Sequence, residues 1–131
     1  MNTIPRQARV ILHGGVNYRY NNGIFYRPSG RNYIITRPPL GLRISFLPTA
    51  RIQLTFGGLP YYYYDGIYYR PLRHNYYEVV TPPIGARITQ LPPFSDEVWI
   101  EGRQYYVSEG IFYRVVQERN GRLVYEVVGY D

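Results

Sequence analysis

The chain contains the stretch Tyr61-Tyr62-Tyr63-Tyr64-Asp65-Gly66-Ile67-Tyr68-Tyr69-Arg70, and the last six residues of this stretch have two close relatives elsewhere. The relatives are Asn22-Gly23-Ile24-Phe25-Tyr26-Arg27 and Glu109-Gly110-Ile111-Phe112-Tyr113-Arg114, each about 43 residues away. Recurrence at such a period is typical of proteins in which one small structural unit is copied along the chain. Asn-Gly and Asp-Gly between apolar runs favour a two-residue hairpin, since a type I′ turn needs positive φ at both central residues. The stretch therefore predicts three β-hairpins in an all-β protein.

The residues around each hairpin predict more short strands and no helix. The longest stretches free of both Pro and Gly are ten residues, and they are rich in Tyr, Val or Ile, which prefer strands. We expect tandem antiparallel hairpin or meander units, or small SH3-like barrels, with units at about 6–37, 38–81 and 82–131. Pro-Pro-x-Gly at 38–41 and 82–85 cannot lie inside a central strand. It is expected to turn the chain and to deliver Arg43-Ile44 and Arg87-Ile88 as the first strand of the next unit.

The two-residue turns also predict which side chains face each other and which are buried. In this register Tyr63 lies opposite Tyr68, Tyr20 opposite Phe25, and Val107 opposite Phe112. The core is expected to hold four apolar residues: Ile24, Ile67, Ile111 and the only tryptophan, Trp99.

Charge is distributed unevenly along the chain. All fifteen basic residues are arginine, and residues 1–60 hold eight of them with no acid, whereas residues 61–131 hold seven arginines and nine acids. A basic segment attracts polyanions such as nucleic acid, lipopolysaccharide or acidic glycans. The alternative is that these arginines are solvated cations on strand faces, because net charge determines solubility before it determines partners.

The sequence offers little for catalysis. There is no cysteine, and His13 and His74 occupy non-equivalent positions without a companion at metal-ligand spacing. Asp65 and Glu109 already have a structural explanation in their turns. We therefore expect a protein that is not an enzyme, with no catalytic residue, metal or cofactor. The enzymatic alternative is a glycan-active one, which would need two carboxylates about 5–10 Å apart.

The run of four tyrosines is the most unusual local feature. Because a strand alternates its faces, Tyr61–Tyr64 place aromatic rings on both sides of the sheet. An exposed row beside arginines would stack sugar rings or unpaired bases, whereas the alternative is packing between units. The register also pairs Tyr18 with Arg27 across the first hairpin. The candidate ligand-binding residues are Tyr61, Tyr62, Tyr63, Arg70, Arg73, Tyr18 and Arg27.

The residues Tyr62–Arg70 and Tyr77–Pro92 together resemble a known group of proteins. Their pattern, G-[IV]-[FY]-Y followed by PP-x-G-x-x-[IV]-x-x-LP, is similar to that of uncharacterised Tyr/Pro/Gly-rich bacterial envelope proteins, a family of unknown function. The resemblance implies a periplasmic or outer-membrane-associated location, with no functional residues to transfer. The first residues lack the apolar stretch of an export signal. We therefore expect Met1 to have been added to a mature domain, whereas a native Met1 would favour the cytoplasm.

These observations lead to three functional hypotheses. The first is a non-catalytic envelope module, for binding or structure, that contacts glycan, peptidoglycan or a protein partner through Tyr and Arg. The second is polyanion binding by the arginine-rich N-terminal half, with nucleic acid the less favoured partner. The third is the glycan-active enzyme. Self-association is a further expectation, because the strand edges lack the lysines that usually prevent edge-to-edge pairing. No apolar run reaches the length of about 18 residues that a transmembrane helix needs.

Overall fold

The computed structural model describes residues 4–131, and this part of the chain is built of β-strands. It contains no α-helix, and its one helical element is a three-residue 3-10 turn at Arg73–Asn75. The strands are β1 Arg9–His13, β2 Val16–Asn21, β3 Ile24–Ser29, β4 Asn32–Thr36, β5 Arg43–Ile44, β6 Ile52–Phe56, β7 Leu59–Tyr64, β8 Ile67–Pro71, β9 Tyr77–Val80, β10 Arg87–Ile88, β11 Asp96–Ile100, β12 Arg103–Ser108, β13 Ile111–Gln117 and β14 Leu123–Tyr130. The prediction of an all-β chain is confirmed.

The strands form three antiparallel sheets. The first has the order β1-β2-β3-β4, the second β5-β9-β8-β7-β6 and the third β10-β14-β13-β12-β11. In the second and third sheets the short first strand pairs with the last strand of the same sheet. Within residues 4–131 none of the sheets closes into a barrel. The open meander, and not the SH3-like barrel, therefore describes them.

The three predicted hairpins are present, and their turns have the expected backbone conformation. The two central φ angles are 46° and 96° at Asn22-Gly23, 52° and 82° at Asp65-Gly66, and 51° and 76° at Glu109-Gly110. All six values are positive, as a type I′ turn requires. Even Glu109, a poor residue for positive φ, follows the pattern.

The predicted register is confirmed where the pairing is resolved residue by residue. Tyr20 lies opposite Phe25 in the first hairpin, and Val107 lies opposite Phe112 in the third. In the second hairpin the rings of Tyr63 and Tyr68 are 4.8 Å apart between centroids. The turn sequence therefore determines the alignment of the flanking strands.

Each Pro-Pro-x-Gly segment turns the chain by means of a glycine with positive φ. The Gly41 amide donates to the Val79 carbonyl (2.8 Å), and the Val79 amide donates back to the Leu42 carbonyl (2.9 Å). Gly85 and Val127 make the equivalent contact later in the chain (2.8 Å). The residues that follow form β5 and β10, so the strands predicted at Arg43-Ile44 and Arg87-Ile88 are confirmed.

The chain divides into two compact units, each with its own core. The first unit comprises residues 1–51 and 69–80, and the second comprises residues 52–68 and 81–131. The buried aliphatic and aromatic side chains of the first unit are Tyr18, Tyr20, Phe25, Tyr26, Leu42, Ile44, Tyr69 and Val79. Those of the second are Tyr63, Ile67, Tyr68, Ala86, Ile88, Tyr113, Val124 and Val127. Tyrosine thus supplies much of the apolar surface of both cores.

The structure corrects two of the predicted core residues. Ile67 is buried as expected and Ile111 is half-buried, but Ile24 is 38% exposed and Trp99 is 64% exposed. Ile24 has the same place in its hairpin as the buried Ile67, so the difference comes from what covers each hairpin and not from the alternation of the strand. Trp99 lies on β11, the edge strand of the third sheet, where less of the structure covers a side chain.

Candidate functional site

The row of tyrosines on β7 is only partly accessible. Tyr63 is buried and its ring packs against Tyr68, whereas Tyr61 and Tyr62 are half-buried. In this structure Tyr63 therefore contributes to the core of the second unit. Tyr61, Tyr62 and the half-buried Tyr64 are the members of the row that retain surface for a ligand.

The remaining candidate residues belong to the first unit. Tyr18 is buried, so its ring packs inside the protein. Arg70 makes an ion pair with Glu78, with 2.7 Å between nitrogen and carboxylate oxygen. Arg27 and Arg73 are exposed. The structure therefore places the candidate tyrosines and arginines in different local settings.

The two units differ strongly in charge. The first unit contains ten arginines and a single acid, Glu78, whereas the second contains five arginines and eight acids. The first unit thus has a large positive charge and the second a modest negative one. Such an asymmetry produces a field that attracts anions to one part of the molecule.

The first sheet lacks a cross-strand carboxylate that the other two sheets have. On the second sheet Arg70 pairs with Glu78, and on the third sheet Arg114 pairs with Glu126 (3.0 Å). On the first sheet the residue opposite Arg27 is Ile34. Because residues 1–60 contain no acid, the arginine at this position has no carboxylate across the strand.

An open groove of about 270 Å³ lies within the first unit. Its wall is formed by residues that precede or begin β1, by the end of β2 and its turn, and by the segment after β5. The lining residues are Gln7, Arg9, Tyr20, Asn21, Asn22, Phe46, Leu47 and Thr49. We call this feature the N-terminal groove. Its volume is at the small end for ligand sites, which suits one residue of a longer polymer.

Hydrogen bonds fix the two sides of the N-terminal groove together. The Asn22 side-chain oxygen accepts from the Thr49 amide (2.8 Å) and from the Thr49 hydroxyl (3.1 Å). The Tyr20 hydroxyl donates to the Phe46 carbonyl (2.6 Å). These contacts join residues 26 and 27 positions apart, so the groove is held in shape before a ligand arrives.

The chemistry of the N-terminal groove centres on Arg9 and Phe46. The Arg9 guanidinium carbon lies 3.9 Å from the centroid of the Phe46 ring, a cation–π contact. Phe46 is 53% exposed, so much of its ring remains accessible. The groove thus combines an aromatic surface, a cation and the side-chain amides of Gln7 and Asn21.

The sequence did not predict the contact between Arg9 and Phe46, although Phe46 differs from the residue at the same place in the next linker. Ser45-Phe46-Leu47-Pro48 corresponds to Thr89-Gln90-Leu91-Pro92 in the next linker, so an exposed phenylalanine replaces a glutamine. Arg9 lies far from Phe46 in the sequence, and only the folded first unit brings the two side chains together.

A second groove of similar volume, about 270 Å³, lies on the third sheet. It is lined by Arg103, Gln104, Tyr105, Arg114 and Val115. Here Arg114 already pairs with Glu126, and Gln104 donates to Glu97 (2.5 Å). This groove is therefore less suited to an anion than the N-terminal groove is.

Two phenols outside the N-terminal groove have a raised pKa. Burial raises the pKa of Tyr68 far above its ordinary value, and the neighbouring Tyr113 raises it further. Burial and then Tyr61 raise the pKa of Tyr130, whose hydroxyl donates to the Pro82 carbonyl. These shifts keep both phenols protonated. Residues 4–131 contain no group of three or more His, Cys, Asp or Glu residues that could hold a metal ion.

Comparisons with known proteins give a family for the chain. Within residues 4–131 no helix has the length and apolar character needed to cross a membrane. No curated protein and no solved structure matches the chain. The model of one family, described as a family of unknown function (DUF6515), matches residues 1–131. The match covers the whole chain, and the protein therefore belongs to the DUF6515 family.

Proposed function

We propose that the protein is a non-catalytic binding module of the bacterial cell envelope that holds a segment of an acidic glycan, such as peptidoglycan, in the N-terminal groove. The observation that carries this proposal is the Arg9 guanidinium stacked 3.9 Å from the centroid of the exposed Phe46 ring. The envelope setting rests on the Tyr/Pro/Gly-rich pattern of the sequence.

The composition of the N-terminal groove suits a sugar that bears a carboxylate. An exposed aromatic ring stacks on the apolar face of a sugar, as Phe46 can. Arginine binds a carboxylate with two parallel hydrogen bonds, and Arg9 presents its guanidinium at this ring. The amides of Gln7 and Asn21 supply donors and acceptors for hydroxyl groups.

Pre-organisation supports the same function. Because Asn22 and Tyr20 hold the segment from Phe46 to Thr49 in place, little chain order has to be gained on binding. A fixed groove of this volume fits one residue of a chain, and affinity for a long polymer would come from repeated engagement.

Polyanion binding by the first unit is the second candidate function. It is favoured by the ten arginines of that unit and by Arg27, which lies opposite Ile34 where the other sheets have glutamates. The two functions differ in their response to salt. Affinity that depends on several phosphate contacts falls by orders of magnitude between about 50 and 200 mM salt, whereas stacking on a sugar changes little.

Calorimetric titration of the protein with soluble peptidoglycan fragments tests the proposal. Phe46→Gln introduces the residue of the next linker, and we expect binding about tenfold weaker, the factor that ~1.4 kcal/mol of lost stacking gives. Arg9→Gln should weaken binding of fragments with a free carboxylate and should affect amidated fragments less.

Two matched variants serve as controls for these substitutions. Phe94→Gln removes a phenylalanine that is almost fully exposed outside the groove, and Arg119→Gln removes an exposed arginine of the second unit. Both should bind like the unchanged protein. Equal losses in the groove and control variants, or no binding by the unchanged protein, would contradict the proposal.

A further inference from the structure

Two edge strands of the molecule match each other in length and differ in charge. β1 is an outer strand of the first sheet and β11 is an outer strand of the third, and each has five residues. β1 contains Arg9 and no acid, whereas β11 begins with Asp96-Glu97 and contains no base. The unit that contains β1 is strongly positive, and the unit that contains β11 is negative.

The hairpin register shows which backbone groups of these strands point outward. His13 and Val16 flank the two-residue loop at Gly14-Gly15 and form a pair that exchanges hydrogen bonds. Bonded pairs alternate along the strand, so the backbone N–H and C=O groups of Val10 and Leu12 point away from β2.

The same argument applies to β11. Ile100 and Arg103 flank the loop at Glu101-Gly102, so the backbone groups of Glu97 and Trp99 point away from β12. Each of the two edges therefore has two residues whose backbone N–H and C=O groups point outward and can pair with a further strand.

The side chains at these outward positions are exposed and largely apolar. Val10 is 56% exposed and Leu12 is 69% exposed, while Trp99 is exposed to a similar degree. An edge strand with apolar side chains and free backbone groups is a template for pairing with another chain.

We infer that two copies of this chain associate head to tail, with β1 of one copy added antiparallel to β11 of the next. Full overlap of the two strands gives a single register, in which Val10 lies opposite Trp99 and Leu12 lies opposite Glu97. Both pairs consist of outward residues, so they can exchange backbone hydrogen bonds. The same register places His13 opposite Asp96 and Arg9 opposite Ile100, so the attraction acts between the oppositely charged units and not between Arg9 and an acid across the strands.

The other edges of the sheets are less suited to this partner. β5 and β10 have two residues each, and β4 and β6 contain no charged residue. Among the edge strands within residues 4–131, only β1 and β11 combine five-residue length with opposite charge. The interface uses two different surfaces, so it generates a ring or an open filament and not a two-fold dimer.

Sedimentation velocity of the full chain over a series of concentrations tests this inference. The unchanged protein should show concentration-dependent association that weakens at high salt. Val10→Pro and Trp99→Pro each remove an outward N–H, and proline is tolerated at such a position of an edge strand. Each variant alone lacks one half of the interface and should sediment as a monomer.

Mixing the two proline variants provides the decisive outcome. Trp99→Pro keeps its β1 edge and Val10→Pro keeps its β11 edge, so the mixture should form a one-to-one pair and nothing larger. Gln53→Pro, at an outward position of the uncharged β6 edge, is the control and should associate like the unchanged protein. A protein that stays monomeric at every concentration, or proline variants that still associate alone, would overturn the inference.

A charge exchange covers the case in which a proline variant fails to fold. Leu12→Glu faces Glu97 in the proposed register, so this variant should lose association. Adding Glu97→Lys to the same chain should restore it, since the two new side chains attract. If the double variant stays dissociated while its circular dichroism matches that of the unchanged protein, the register is wrong.

Discussion

At the residue scale the chain depends on tyrosines that serve as large apolar core residues with a polar end. The hydroxyls of Tyr68 and Tyr113 lie 2.8 Å apart in the core of the second unit, and both residues are fully buried. Burial of a hydroxyl is unfavourable unless it forms a hydrogen bond, and here the two phenols bond to each other.

A double-mutant cycle at this pair should show coupling. Tyr68→Phe and Tyr113→Phe should each lower the free energy of unfolding, because each removes one half of a buried hydrogen bond. The double variant should lose less than the sum, with a coupling energy of about 0.5–1.5 kcal/mol. Urea denaturation of the four proteins measures it, and strict additivity would contradict the account.

The raised pKa of Tyr68 leads to a prediction for the stability of the protein at alkaline pH. The pKa of Tyr68 is raised in the folded state, so the folded protein holds this proton more tightly than the unfolded chain. The resulting stability is complete below the unfolded pKa of about 10 and is lost as pH rises above it. Above that pH the free energy of unfolding should fall less steeply in Tyr68→Phe. Identical slopes for both proteins would refute this assignment.

At the element scale, short-range sequence signals predicted the strands well and their buried faces less well. The turns at Asn22-Gly23 and Asp65-Gly66 determine alignment within each hairpin, because that alignment depends only on neighbouring residues. Alternation along a strand shows that two faces differ but does not show which face other strands cover. Ile24 and Trp99 were misplaced for this reason.

A turn that carries an unfavourable residue offers a test of the hairpin account. Glu101 has φ of 50° in the β11–β12 turn, a conformation that asparagine adopts more readily than glutamate. Glu101→Asn should therefore raise the free energy of unfolding by about 0.5–1 kcal/mol. Glu101→Gln removes the charge without improving the turn and should leave stability unchanged. Thermal unfolding of the three proteins makes the comparison, and an equal gain in the glutamine variant would indicate a charge effect instead.

At the scale of the whole molecule, the feature with functional consequences is the uneven charge of the two units. The sequence showed the arginine-rich N-terminal half, but the N-terminal groove depends on Arg9 and Phe46, which are 37 positions apart. No local pattern predicts a contact over that distance. The candidate residues Tyr61, Tyr62 and Arg73 remain predictions.

The missing carboxylate of the first sheet can be introduced by mutation. Ile34→Glu places an acid opposite Arg27, as Glu78 and Glu126 accompany arginines on the other sheets. If the first unit binds polyanions, this variant should weaken binding of a short single-stranded DNA and reduce the salt slope by about one unit. Ile34→Gln is the uncharged control. Fluorescence anisotropy over a salt series measures both, and unchanged slopes would argue against polyanion binding through Arg27.

An amide NMR titration of the labelled protein with soluble peptidoglycan fragments, at low and high salt, tests the central claim most directly. The account predicts saturable shifts that cluster on Gln7–Arg9, Asn21-Asn22 and Phe46–Thr49 and that change little with salt. Shifts that avoid these three segments, or no shift at saturating fragment, would contradict glycan binding in the N-terminal groove.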